Sequence, residues 1–137
     1  MTDDAFERGL RIRKEVLGEA YVDRSLQKAD AFSMPFQELV TRCCWGETWA
    51  REGLSRKQRS LNNLCITAAA NRMHEFKLHF GGALENGCSL LEIRETLLQI
   101  AIYAGMPAGV EVFRIAREVF EERGIDVGAE LEPPSSP

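Results

Sequence analysis

Ser89-Leu90-Leu91-Glu92-Ile93-Arg94-Glu95-Thr96-Leu97-Leu98-Gln99-Ile100-Ala101-Ile102-Tyr103-Ala104 is the stretch whose reading decides the fold. Ser89 followed by Glu92 has the spacing of a capping box, in which the hydroxyl and the carboxylate each satisfy a backbone N–H at a helix start. Behind it Leu90, Ile93, Leu97, Ile100, Ala101 and Ala104 recur at three- and four-residue steps, the signature of one helix face. A half-buried strand would alternate apolar and polar residues, and this segment does not.

The same pattern extends outward in both directions. Upstream, Met73 to Glu85 is helical and Asn86-Gly87 supplies its stop. A second capping box, Ser55 with Gln58, opens a helix carrying Leu61, Leu64, Cys65, Ala68 and Ala69. Ser33 and Pro35 begin a helix that the apolar stripe Phe36, Leu39, Val40, Cys43 and Trp45 extends to about Ala50. Asp23 reads as the cap of a short helix through Ala31, and Asp4 to Leu17 forms another, ended by Gly18. Downstream, a last helix follows Gly105-Met106-Pro107 and runs to Arg123 through Val110, Phe113, Ala116 and Phe120. No repeat or linker interrupts the chain. The expectation is an all-α bundle of six or seven helices in one domain over residues 1–123, with a disordered tail over residues 124–137 rich in proline and small residues.

At 137 residues the chain suffices for one hydrophobic core. A net charge of −4 excludes a broadly basic surface, and with it the usual nucleic-acid or anionic-membrane partner. No apolar run approaches the roughly 20 residues that span a bilayer. The acidic stretch Met1 to Glu7 lacks the apolar centre of a signal peptide, so a cytoplasmic protein is expected. Cys43, Cys44, Cys65 and Cys88 form no C-x-x-C pair, which leaves a redox dithiol or a thiolate zinc site without support. They read as reduced structural thiols. The small-residue stretch Leu64 to Ala70 and the apolar stretch Leu97 to Ala104 suit either a buried central helix or a subunit interface.

Chemistry concentrates in the middle third. Trp45-Gly46-Glu47-Thr48-Trp49 is followed by Arg51, Arg56 and Arg59, and then by Asn71-Arg72-Met73-His74-Glu75-Phe76-Lys77-Leu78-His79. Glu75 and His79 stand four apart and share a helix face, with Arg72 a further turn back. A carboxylate beside an imidazole raises its basicity and orients it, which suits acid–base work. The same pair also serves as an ordinary solvent-facing ion pair. His74 reads as surface, and His–Glu alone is too few ligands for a metal. Trp45 and Trp49 are candidates to line a substrate pocket, with core packing as the competing role.

Several segments together resemble the carboxymuconolactone decarboxylase family. They are Trp45-Gly46-Glu47, Trp49, Arg51, Gly53-Leu54, Arg59-Ser60-Leu61, Asn71-Arg72, Glu75, Leu78-His79, Asn86-Gly87, Glu92-Ile93, Ala101-Ile102-Tyr103, Gly105 and Pro107-Ala108. Gly9, Arg11, Arg13-Lys14, Val16-Leu17-Gly18 and Val22-Asp23-Arg24-Ser25 extend the likeness, which covers about residues 6 to 122. The resemblance implies an alkyl hydroperoxidase D-like helical fold assembled as trimers or hexamers. It also implies cofactor-free decarboxylation of 4-carboxymuconolactone to the β-ketoadipate enol-lactone in aromatic catabolism. The peroxidase branch of that superfamily carries C-x-x-C-x-x-x-H. Aligned on His79, its cysteines fall on Arg72 and Glu75, which disfavours thiol peroxidase chemistry. Asn62-Asn63 and Gly81-Gly82 depart from the family's pattern, as does the position of His74.

Loss of carbon dioxide from such a lactone sends two electrons through the double bond onto the lactone carbonyl, so the substrate is its own electron sink and no cofactor or metal is expected. The protein must stabilise the oxyanion, anchor the remaining carboxylate and protonate carbon. His79 is assigned as proton donor with Glu75 orienting it, and Arg72 and Arg51 as carboxylate anchors. Glu47 either positions Arg51 or promotes departure of the leaving carboxylate by repulsion. Arg59 is equally suited to a structural role at a helix end. The competing functions are another lyase, isomerase or hydrolase on a related acid or lactone, and a non-catalytic oligomeric binding protein.

Overall fold

The computed structural model describes residues 3–131, and among these the regular structure is all helical, eight α-helices and one π-helical segment. They cluster into two compact units, one ending at Arg59 and the other beginning at Ser60.

In the first unit, α1 (Asp4–Leu17) is capped by the Asp3 carboxylate, which accepts from the Phe6 N–H at 3.1 Å. Gly18, at φ +97°, ends α1 and starts α2 (Glu19–Lys28) without an intervening loop. The sequence placed this start at Asp23. A positive φ, which glycine adopts without strain, turns the chain at once, and Asp23 instead pairs with Lys14 at 3.1 Å. The helix also ends at Lys28, short of the expected Ala31.

The expected single helix from Ser33 to Ala50 is two elements. α3 (Met34–Leu39) carries Pro35 in its first turn, and from Val40 to Thr48 the chain widens into a π-helix. The Trp49 N–H closes that segment on the Cys44 carbonyl at 2.9 Å, five residues back. Close backbone contact with α1 accompanies it. A Cβ on Gly9 would stand 1.9 Å from the Thr41 carbonyl oxygen, and one on Gly46 would stand 2.0 Å from that of Ala5. Only glycine fits at either position. Trp45 and Trp49 stack at 4.7 Å and 23° and form the unit's core with Ile12 and Val16. The buried Arg13 ties α1 to this wall, donating through Nη1 to Gln37 Oε1 at 3.0 Å and Thr41 Oγ1 at 3.1 Å.

α4 (Arg56–Ala69) begins in the first unit, with the Gln58 N–H donating to Ser55 Oγ at 3.0 Å as the capping box requires. In the second unit it supplies Leu64 and Ala68 to a core completed by α5 (Met73–Glu85), α6 (Leu90–Tyr103) and α7 (Met106–Arg123). Phe76 and Phe80 are fully buried, and Phe80 meets Phe120 edge to face at 5.5 Å. Such rings each remove 150–250 Å² or so from water, so this cluster dominates the unit's stability. Both halves of the Ser89–Glu92 capping box are formed at 3.0 Å. Gly109 lets α7 approach α6, because a Cβ there would stand 2.7 Å from that of Ala101. Gly81 has a similar purpose: the Arg123 guanidinium lies where its Cβ would be, and pairs with Glu85 at 2.8 Å.

Part of the segment expected to be disordered is ordered. Val127–Leu131 forms a short helix, α8, and Val127 and Leu131 line an apolar pocket with Leu90, Ile93 and Phe120. The Pro133-Pro134-Ser135-Ser136-Pro137 end of that expectation lies outside the described residues. The split third helix and α8 raise the number of helices above the six or seven expected. No described helix is long and apolar enough to cross a membrane.

Candidate active site

Two groups of polar side chains correspond to the chemistry expected from the sequence, one in each unit. In the first, a cleft of about 480 Å³ is lined by Arg8, Gly46, Glu47, Ala50 and Arg51. The close packing of α1 on the π-segment builds this wall. Gly9 and Gly46 bring the two backbones together, and Arg8, beside Gly9, spans the seam by donating from Nε to the Gly46 carbonyl at 2.8 Å. Glu47 and Arg51 both line this cleft, and no ion pair is seen between them among the described residues. Arg51 is instead tied through its backbone: its N–H donates to the Thr48 carbonyl at 3.1 Å and its carbonyl accepts from Arg59 Nη2 at 3.3 Å. Arg59 thus contacts the Arg51 backbone. Arg56 pairs with Glu15 at 2.7 Å.

Trp45 and Trp49, expected to line a substrate pocket, are 3% and 6% exposed and are not walls of this cleft. Their indoles pack behind it. Arg8 was not singled out by sequence reasoning, because a lone arginine in a charged helix carries no motif. The available signal was Gly9 beside it and Gly46 across from it, two glycines inside helical patterns, where each costs about 1 kcal/mol unless close approach demands it.

The second group lies on α5 and α4. His79 is half-buried, and Asn63 Nδ2 stands 3.5 Å from its Nδ1, at the long limit for a hydrogen bond. With the amide donating, Nδ1 accepts and the neutral ring carries its proton on Nε2. Burial lowers the imidazole pKa below its ordinary 6.5, opposed by the Glu75 carboxylate, which raises it. Glu75 is exposed, and its charge acts on the ring. Arg72 is exposed at the start of α5, where its carbonyl accepts from the Phe76 N–H at 2.9 Å. Its guanidinium has no partner among the described residues. His74 is exposed. Asn63, noted in the sequence only as a departure from pattern, is thus the neighbour of the candidate proton donor.

The cysteines are free. Burial pushes the Cys44 and Cys65 thiols above their ordinary pKa, which disfavours the nucleophilic thiolate. Among the described residues no three His, Cys, Asp or Glu side chains gather into a metal-sized cluster.

Comparison with known proteins adds three findings. The profile of the carboxymuconolactone decarboxylase family matches residues 35–118. A 4-carboxymuconolactone decarboxylase of Acinetobacter baylyi is 38% identical over 123 residues, covering 90% of this chain and 92% of that protein. A nitrosuccinic acid decarboxylase of Metarhizium robertsii is 40% identical over 128 residues, covering 93% of this chain and 89% of that protein.

Proposed function

We propose that this chain, which belongs to the carboxymuconolactone decarboxylase family, is a carboxy-lyase that converts 4-carboxymuconolactone to the β-ketoadipate enol-lactone without a cofactor. The observation that carries this reading is the nearly end-to-end similarity to two proteins that are both named as decarboxylases. Nitrosuccinic acid is the second substrate to consider, on the strength of the second relative. The two acids share a logic. Each carries two carboxylates, and each has an electron sink, a conjugated lactone carbonyl or a nitro group, that receives the electron pair as carbon dioxide leaves.

In this reading residues 1–123 act as one catalytic domain. The C–CO₂⁻ bond breaks, its electron pair moves onto the sink oxygen, and carbon is then protonated. His79 donates that proton. Its buried imidazole rests neutral near pH 7, and the arriving substrate anion, with Glu75, favours the imidazolium, so the acid forms as substrate binds. Arg51 and Arg72 anchor carboxylate oxygens through bidentate hydrogen bonds, which arginine suits better than lysine. Glu47 acts on the leaving carboxylate by repulsion. Trp45 and Trp49 contribute the packing that shapes the substrate site, and Arg59 holds the Arg51 backbone.

The protein works as a homo-oligomer, a trimer or hexamer. Ile66, Ile102, Tyr103, Met106 and Val110 are each more than 60% exposed in the second unit, an apolar surface unusual for a chain that remains alone in water. A cytoplasmic location accords with four free thiols.

The test is carbon dioxide release and ultraviolet loss on adding freshly prepared 4-carboxymuconolactone, with nitrosuccinate in parallel and His79→Ala alongside. Turnover of either acid, lost in a folded His79→Ala protein, is expected. A folded native protein that consumes neither acid would overturn the decarboxylase reading, and full activity in His79→Ala would overturn the proton-donor role alone.

A further inference from the structure

The cleft of the first unit holds more positive charge than its neighbours neutralise. In a chain with 21 acidic and 17 basic side chains, carboxylates are available to arginine, and among the described residues four arginines pair with one. Arg42 pairs with Asp3, Arg56 with Glu15, Arg114 with Glu111 and Arg123 with Glu85. Arg8 and Arg51 do not, although Glu47 lines the same cleft. Arg8 is moreover held in place. Its Nε is committed to the Gly46 carbonyl at 2.8 Å, and its two η nitrogens have no protein partner among the described residues. An arginine that merely solvates a surface would not need a tether across a seam where Gly9 and Gly46 allow no side chain.

We propose that Arg8 and Arg51 together bind the carboxylate that the reaction leaves on the substrate. This inference rests on the decarboxylase reading and names the part of the substrate that the cleft selects. The Nε tether fixes the plane of the Arg8 guanidinium and leaves its η nitrogens as a preorganised donor pair, so little side-chain freedom is lost on binding. Two guanidinium groups against one carboxylate give the cleft a net charge of one positive, which one carboxylate balances. The predicted substrate class is therefore a dicarboxylic acid, in which one carboxylate departs and the other is held. A monoacid with the same electron sink is a poor substrate.

The experiment measures binding apart from turnover. Succinate is the probe, a dicarboxylate that cannot lose carbon dioxide for want of a sink, with its neutral diamide as control. Calorimetric Kd values are compared for the native protein, Arg8→Gln and Arg8→Lys, alongside kcat and KM for 4-carboxymuconolactone. Charge-assisted hydrogen bonds of this kind account for roughly tenfold to a hundredfold in affinity. Arg8→Gln is expected to raise the succinate Kd and the lactone KM by about that factor, with kcat changed little. Arg8→Lys, which keeps the charge but not the fork, recovers part of the loss, and the diamide binds none of the three proteins. Tryptophan emission and Tm confirm folding, and if Arg8→Gln misfolds the lysine variant decides. Succinate binding and KM unchanged in folded variants, or a fall in kcat at constant KM, would overturn the assignment. The two readings fail separately. Arg8-dependent succinate binding without turnover keeps the carboxylate site and removes the decarboxylase, whereas normal turnover in Arg8→Gln does the reverse.

Discussion

Replacing Gly46 by alanine tests the joint on which the first unit depends. The new methyl would stand 2.0 Å from the Ala5 carbonyl oxygen and 2.9 Å from its carbon, both backbone atoms that no rotamer change can move. Ordinary contact requires roughly 3.5 Å, so α1 and the π-segment must part by more than about 1 Å. Overpacking of this kind costs about 1–3 kcal/mol, and more where backbone on both sides is rigid. Separation also lengthens the Arg8 Nε bond to the Gly46 carbonyl. Against this, alanine gains only about 1 kcal/mol of helix propensity over glycine. The balance of these two terms is a loss of up to about 2 kcal/mol, a sizeable share of the roughly 5–15 kcal/mol that holds a typical domain together. Urea unfolding followed by tryptophan emission is the assay, because the chain's two tryptophans, Trp45 and Trp49, both lie in this unit's core. Gly53→Ala is the control: its Cβ would meet nothing within 4 Å, and a gain of about 0.4–1 kcal/mol from the stiffer unfolded chain is expected. A Gly46→Ala protein that unfolds at the native urea midpoint with unshifted emission would refute the close-approach argument.

Four further outcomes follow from particular side chains. Burial holds the His79 pKa below 6.5, so if its imidazolium is the acid, kcat/KM falls as pH rises through that lowered value. The limb of kcat lies at higher pH, because bound carboxylates favour the cation, and a kcat/KM that shows no fall with rising pH anywhere below 6.5 would remove His79 as the acid. The same shift links to stability: below 6.5 the unfolded chain takes up a proton that the folded ring resists, so native protein loses stability on acidification and His79→Gln loses less. Ser89→Ala breaks the capping box of α6 and should lower stability by about 1 kcal/mol in urea titration, and Ser89→Asp, which can still cap, should restore most of it. At neutral pH iodoacetamide should label the exposed Cys43 ahead of Cys44, Cys65 and Cys88, as read by mass spectrometry, with turnover intact. Activity lost in step with Cys65 or Cys88 labelling would restore thiol chemistry as a contender.

Helices were legible wherever a chemical signal marks an end. Ser89 with Glu92, Ser55 near Arg56, Asn86-Gly87 and Gly105-Met106-Pro107 each sit at an observed boundary. Legibility failed where the deciding interaction is between distant backbones. The apolar spacing of Phe36, Leu39, Val40, Cys43 and Trp45 describes a helix but not its width, and the widening at Val40 coincides with contacts made to Ala5 and Gly9. A short capped segment was likewise assigned to Asp23, because a cap-forming residue is visible in sequence while its ion pair to Lys14 is not.

The candidate site divides along the same line. The pattern Arg72, Glu75, His79 could be read because one helix holds all three, and helical spacing alone fixes their shared face. What the pattern did not contain was the environment of the imidazole: the burial that lowers its pKa, and Asn63 on another helix beside Nδ1. Glu47 and Arg51 were legible as polar residues in a dense motif, which left two roles open for Glu47, positioning Arg51 or repelling the leaving carboxylate. The structure shows no ion pair between them among the described residues. That difference bears on function. A paired Glu47–Arg51 would have turned the cleft into an internally neutral surface with no reason to attract an anion. Left apart, with Arg8 drawn in by a backbone tether at Gly46, the same residues give a donor array whose charge has no protein partner. Two glycines that look like weaknesses in helical segments therefore position a cation that no motif announces, and the carboxylate it lacks is the one a dicarboxylic substrate would bring.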